Sequence, residues 1–294
     1  MYVLLIGGTG PIGRHVAQQL AGAGHEVTVY HRGQTECDLP SAVRHVHDLR
    51  AAIPVVFFPQ ELLNHPPDVV IHMIAMTQAD AEAAVHAFAG RTRRLVIASS
   101  GDVYRAYGRF TGLESGPVEA NLLSEDSPLR TVLYPYRSPS LPGREWMRDY
   151  EKILVERTGL SCKDLPGTVL RLPKVYGPGT NADLRTVYGA RHRPQWRWTH
   201  GYVENVAAAI TLAATHPAAA GRVYNVGEEY TPTVEERLRG LPVSSLPADE
   251  NHFHYEHDIA YDTSRIRIEL GYREPVDYAE GLRLTLDRNR ADFA

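Results

Sequence analysis

Gly7-Gly8-Thr9-Gly10-Pro11-Ile12-Gly13 sets three glycines at G-x-x-G-x-x-G spacing, directly after an apolar run and at the start of a helical pattern. In that context a glycine-rich turn binds a dinucleotide pyrophosphate. Gly7 permits the tight turn, Gly10 lets the backbone approach the phosphates, and Gly13 lets helix and strand pack closely. The helix N-terminus then faces the anion, with Thr9, Pro11 and Ile12 completing the loop around it. About twenty residues further on, where a carboxylate would receive the ribose 2′-hydroxyl of NAD, the chain reads Tyr30-His31-Arg32-Gly33 and offers no acid. Arg32 can instead pair with a 2′-phosphate, so NADP is expected ahead of NAD. The competing reading of Arg32 is a solvated loop arginine. Asp48 and Leu49, after the third apolar run, suit the adenine edge, although an aspartate there serves equally well as a helix cap.

Two other clusters invite a chemical reading. His252, His254 and His257 with Glu256 resemble a metal set by residue type, but strand alternation would send His257 to the opposite face from the other two and no fourth ligand stands nearby. A polar strand or rim is expected instead of a zinc site. Arg191, Arg193 and Arg197 with Trp196 and Trp198 crowd one loop, where they could clamp a phosphate, carboxylate or sugar nucleotide, or form a solvated basic loop.

The elements that must hold these residues are legible in outline. Short runs rich in β-branched residues at Tyr2–Ile6, Val27–Tyr30, Val43–His47, Val69–Ile74, Leu95–Ala98 and Val169–Leu172 read as buried strands. Helical spacing of apolar residues marks Ile12–Leu20, Ala79–Phe88, Met147–Arg157 and Val203–Ala214. Strand–helix alternation predicts an α/β fold, a doubly wound parallel sheet of Rossmann type with a smaller C-terminal substrate lobe. The expected dinucleotide domain spans 1–176 and 200–226 with an insertion at 105–145, and the lobe spans 177–199 and 227–294. Three Pro-, Gly-, Arg- and aromatic-rich excursions, Arg105–Arg144, Gly177–Thr199 and Gly227–Tyr278, should build the substrate site, because ligands of open sheets bind beyond the strand C-termini.

The chain has 294 residues, 43% of them hydrophobic, enough for a large core without staples. Cys37 and Cys162 form no C-x-x-C pair, which fits a reducing cytoplasm. No apolar run approaches the length of a membrane span and the chain opens without a basic leader, so neither export nor insertion is expected. A formal charge of −4 gathers no polyanion. Small molecules are the expected partners, nucleic acid is not, and a homodimer is allowed for.

With these residues in hand, the chain resembles the extended short-chain dehydrogenase/reductase family, the NAD-dependent epimerase/dehydratases. The resemblance runs through Val70–Ala75, Ser99-Ser100-Gly101-Asp102-Val103-Tyr104, Ser124–Pro128, Arg171–Gly179, His200–Ala207, Tyr224–Gly227, Asp262–Arg265 and Leu270–Tyr272, nearly the whole chain. It implies hydride transfer between nicotinamide and a carbinol of a small oxygenated metabolite, a sugar nucleotide among the candidates. It also implies Ala75 in the cofactor site, Ser100 as the hydroxyl that orients the substrate oxygen, and Lys152 at the nicotinamide, where it lowers the pKa of a tyrosine four residues earlier. The departure is Arg148, which occupies that tyrosine's place and cannot relay a proton. On a continuous helix Tyr150 would point roughly 200° away from Lys152. Tyr136, in the Pro-rich loop, is therefore the expected stand-in for the catalytic tyrosine. Two rival readings follow from the missing tyrosine: a redox-inactive cofactor sensor or RNA-binding protein, disfavoured by the charge, and a non-redox lyase or isomerase.

Overall fold

The computed structural model describes residues 1–35, 37–137 and 145–291, with side chains to residue 287. Each of the six apolar runs forms a strand: β1 (Tyr2–Ile6), β2 (Glu26–His31), β3 (Arg44–His47), β4 (Val69–His72), β5 (Arg94–Ser100) and β6 (Gly167–Leu172). Three further strands, β7 (Lys174–Tyr176), β8 (His200–Tyr202) and β9 (Val223–Asn225), are each only three residues long. No periodicity can register over so short a stretch. The helices are α1 (Pro11–Gly22), α2 (Gln60–Asn64), α3 (Gln78–Phe88), α4 (Arg105–Phe110), α5 (Lys152–Ser161), α6 (Arg185–Gly189), α7 (Val203–Thr215), α8 (Val234–Arg239), α9 (Ser264–Leu270) and α10 (Tyr278–Ala291).

Seven strands form one parallel sheet in the order β3-β2-β1-β4-β5-β6-β9, while β7 and β8 pair separately. Side chains alternate between two cores. Val3, Leu5, Val27 and Val29 face α1 and α7, whereas Leu4, Ile6, Val70 and Val155 lie on the side of α3 and α5. Each fully buried aliphatic side chain of this kind stabilises the fold by about 1.5–3 kcal/mol relative to exposure. From β1 the chain winds outward to β3 and then crosses back to β4, so a crevice opens beyond the C-terminal ends of β1 and β4, where doubly wound folds bind ligands.

The expected helix Met147–Arg157 is broken. Glu145–Asp149 forms a 3-10 turn, Tyr150 is extended and bridges to Thr77, and α5 begins only at Lys152. The cause is Glu151, which caps α5 by accepting from Ile153 N at 2.9 Å and sits in a fully buried ion pair with Arg130 at 3.1 Å. A helix running through Tyr150 would pull that carboxylate out of both roles. The geometric ground for turning Tyr150 away from Lys152 therefore fails.

The excursions pack on the sheet through an aromatic core in which Phe110 stacks on Trp196 with ring centroids 5.0 Å apart. Residues 138–144 of the expected insertion lie outside the described residues. The segment from His252 to His257 forms a rim, not a strand, with His252 and His254 exposed and His257 buried. Among the described residues, no helix is long and apolar enough to cross a membrane.

Candidate active site

The glycine turn divides its glycines between packing and openness. A Cβ on Gly7 would sit 2.7 Å from Ile74 Cγ2, and one on Gly13 would sit 2.7 Å from the Gly8 backbone. A Cβ on Gly10 would meet nothing within 4 Å. Gly10 caps α1 without a side-chain hydrogen bond, and the first turn of α1 carries no acid. Unpartnered N–H groups at a helix start, facing open space, are what a pyrophosphate requires, so the turn fits a dinucleotide.

Beside it lies a pocket of about 160 Å³ lined, among the described residues, by Thr9, Gly10, His31, Arg32, Gln34 and Thr35 and three others, none of them acidic. Asp48 and Leu49 do not line it. The Asp48 carboxylate is drawn to Arg50, accepting from its backbone N at 2.8 Å and its guanidinium at 2.7 Å, while the Leu49 side chain is 75% exposed.

At the opposite end of the crevice a cavity of about 720 Å³ is lined by Ile12, Ser100, Asp102, Tyr136, Tyr150 and Tyr261, among others. Ile12 thus connects it to the phosphate turn. Asp102 is its centre: Oδ2 accepts from Tyr150 Oη at 2.7 Å and from Tyr136 Oη at 3.1 Å, and the Tyr107 and Tyr136 hydroxyls are 3.1 Å apart. Oδ1 is buried without a hydrogen-bond partner. Burial raises the Asp102 carboxyl above its ordinary range, against the hydrogen bond from Tyr150. Burial, then the nearby Asp102, pushes the Tyr150 and Tyr136 phenols up as well. Ser100 Oγ accepts from Asp102 N at 3.3 Å at the C-terminal end of β5.

Lys152 lies beneath this group, 2% exposed, donating to Ala75 O at 2.7 Å and Ala98 O at 2.8 Å. Its Nζ is 5.9 Å from the centre of the Tyr150 ring, and burial lowers its pKa to about 8. Arg148, by contrast, is exposed, and its backbone carbonyl accepts from Arg137 Nε at 3.2 Å. The Tyr136 loop is held from behind: Glu151 Oε2 accepts from Tyr134 N at 2.5 Å, and Tyr134 takes a left-handed φ of 57°. Such backbone costs on the order of 1–3 kcal/mol and persists where surrounding bonds fix it.

Of the Arg–Trp cluster only Trp198 reaches the cavity. It stands 5.6 Å from Lys174 Nζ, measured to its ring centre. Trp196 is buried and donates to His257 O at 2.9 Å, Arg191 is bound to Leu246 O, and Arg193 lies over Tyr255, so these side chains brace the excursions against one another. Asp102, Tyr107 and Lys174 are site residues that sequence reasoning assigned no role. Asp102 carried a signal, an acid two residues past the end of β5.

The sequence profile of the NAD dependent epimerase/dehydratase family matches residues 3–227, well over half of the chain. The chain belongs to this family. Several solved structures share the fold of this family member over nearly all of both chains. MoeE5 in complex with UDP-glucose and NAD is similar at 22% identity, 100% coverage of each chain and a TM-score of 0.67. The UDP-glucose 4-epimerase of Thermotoga maritima with UDP-glucose gives 19%, 100% of each chain and 0.69. TunA, an NAD dependent NDP-hexosamine 5,6-dehydratase of tunicamycin biosynthesis, gives 20% identity, covering 99% of this chain and 98% of its own, and 0.69. No curated protein matches the chain.

Proposed function

We propose that this protein is a nicotinamide-dinucleotide-dependent epimerase or dehydratase of a sugar nucleotide, and that Tyr150 with Asp102 replaces the tyrosine missing at position 148. The observation that carries this is the 2.7 Å hydrogen bond from Tyr150 Oη to Asp102 Oδ2, above the buried Lys152 and in the cavity that continues from the phosphate turn. The cofactor, when bound, supplies a reversible hydride acceptor. Ser100 orients the substrate hydroxyl. As that hydroxyl loses its proton to Tyr150 Oη, the proton already on Tyr150 passes to Asp102 Oδ2, and the reverse transfers return it. Lys152 has two of its three N–H groups on backbone carbonyls, and the third serves a ribose hydroxyl.

A simple alcohol oxidation needs one acid–base group. Two phenols on one buried carboxyl, with a third bonded to Tyr136, provide for more than one proton transfer, as elimination demands, and a cavity of about 720 Å³ takes a hexose with part of its nucleotide. The MoeE5 and Thermotoga complexes hold UDP-glucose, which supports the substrate class. Arg32 in the wall of the adenosine pocket favours NADP over NAD.

The test incubates the protein in deuterated water with a panel of nucleotide hexoses and either cofactor, following products by mass spectrometry. The expected result is a changed sugar, either an epimer or a product lighter by one water, with deuterium entering carbon only on elimination, and abolished in Asp102→Asn. Unchanged sugars with both cofactors, despite measurable cofactor binding, would overturn the reading. Calorimetry should show NADPH binding more tightly than NADH, with Arg32→Ala narrowing the gap; equal affinities in the parent protein would rule out the 2′-phosphate role.

A further inference from the structure

His31 ends β2, and His45 and His47 alternate along the outermost strand, β3. Parallel pairing sets His31 opposite His47 and Val29 opposite His45, so the three imidazoles leave the same face of the sheet. Their ring nitrogens converge within 4.8 Å of one another, with His31 buried, His45 half-buried and His47 exposed. His31 Nε2 and His45 Nδ1 are 2.9 Å apart. Two imidazole nitrogens on one tetrahedral zinc, each at about 2.0–2.1 Å, stand about 3.3 Å apart, so the His31–His45 pair opens by a few tenths of an ångström to admit the ion and the exposed His47 swings in from within 4.8 Å.

We propose that His31, His45 and His47 form a binding site for a divalent transition cation of the cobalt-to-zinc range, with water in the remaining positions. Neutral imidazole suits these borderline ions, whereas calcium and magnesium take oxygen ligands. The exposed His47 gives the ion a path in. Proton bookkeeping shows what the ion displaces. Gly33 N–H donates to His31 Nδ1 at 3.3 Å, so the hydrogen of neutral His31 sits on Nε2 and is accepted by His45 Nδ1. The cation takes the place of that shared hydrogen, the His31 proton moves to Nδ1, and the Gly33 amide turns away. Gln34 and Thr35, which follow Gly33 and line the small pocket, move with it.

The test titrates tag-free protein, without cofactor, with Co²⁺ and then Zn²⁺, reading the visible ligand-field bands of cobalt and the metal content after dialysis. One equivalent should bind, with bands of low-coordinate cobalt that zinc bleaches. His45→Gln and His47→Ala should each weaken binding by at least the roughly 10–100-fold that loss of even an outer-shell partner causes. His47 is exposed, so its variant keeps the test valid should a change at buried His31 unfold the chain. The double variant His252→Ala/His254→Ala should bind as the parent does. Absence of saturable binding, binding that survives both single variants, or binding lost in the double variant overturns the proposal. None of these readouts depends on cofactor or substrate, so its failure is separate from failure of the proposed enzymatic reading.

Discussion

Tyr150 and Tyr136 share one acceptor oxygen unequally. Tyr150 holds Asp102 Oδ2 at 2.7 Å and lies over Lys152, while Tyr136 holds it at 3.1 Å and leans on Tyr107. Tyr150→Phe should therefore cost about 10²–10⁴ in kcat, the usual worth of a positioned acid–base group, with cofactor affinity little changed. Tyr136→Phe should cost less. Steady-state kinetics on the active nucleotide sugar checks the order, and the reverse order would return the role to the loop tyrosine. Lys152 makes a second residue-scale prediction. Its pKa falls from the ordinary 10.5 to about 8, so below pH 8 the folded protein bears the full cost of a buried ammonium. Between about 8 and 10.5 the unfolded chain binds one more proton at this site, and stability rises with pH by roughly 3 kcal/mol. Urea unfolding at intervals across this range should show that limb in the parent and not in Lys152→Met; parallel curves would sink the idea. The positions of the glycine turn and of Ser100 at the end of β5 were legible in spacing from apolar runs, whereas Lys152 was singled out only through the family resemblance, the expected helix having run past it. Asp102 was not, because its partners reach it from 34 and 48 residues away through a loop no local pattern describes.

At the scale of elements, α1 and β1 impose different demands on two glycines of one turn. The Gly13 position abuts Gly8 backbone, which cannot yield, so Gly13→Ala should destabilise the fold by about 1–3 kcal/mol, the range for overpacking, seen as a lower Tm. Gly10, with φ −76° and open space before it, accepts a methyl without strain. Gly10→Ala should keep its Tm and lose at least tenfold in cofactor affinity, on the order of 1.4 kcal/mol. Equal effects on both properties in both variants would refute this division of labour. The same scale shows where periodicity fails. Strands and helices with buried stripes were readable, but the continuous pattern across Met147–Arg157 concealed a break set by a buried ion pair between Glu151 and Arg130, two residues 21 apart in sequence.

Across the whole molecule, buried polar links join the sheet to the excursions. Arg171 on β6 pairs with Glu156 at 2.7 Å and donates to Glu125 O at 2.9 Å, and Glu156 in turn accepts from Ser99 on β5 at 2.5 Å. Asn225 on β9 accepts from Tyr104 Oη at 2.6 Å and donates to Leu123 O, Asp262 O and Glu125 Oε1 at 2.7, 3.1 and 2.8 Å. These contacts span up to 121 residues and give the protein a high contact order, hence slow folding. Viewed along the clock of translation, the sheet is laid down from its centre outward and its last strand arrives late. Once β6 has left the ribosome, about 3–10 s of synthesis pass before β9 follows, at the usual 5–20 residues per second. For that interval the outer edge of β6, with Val169 and Leu170, stands as an unpaired apolar template, open to the wrong partner. A chain stopped after Ala220 should accordingly sediment with aggregates and yield quickly to protease, whereas the full chain resists; a soluble, resistant fragment would mean that another segment shields the growing edge until its own strand is made.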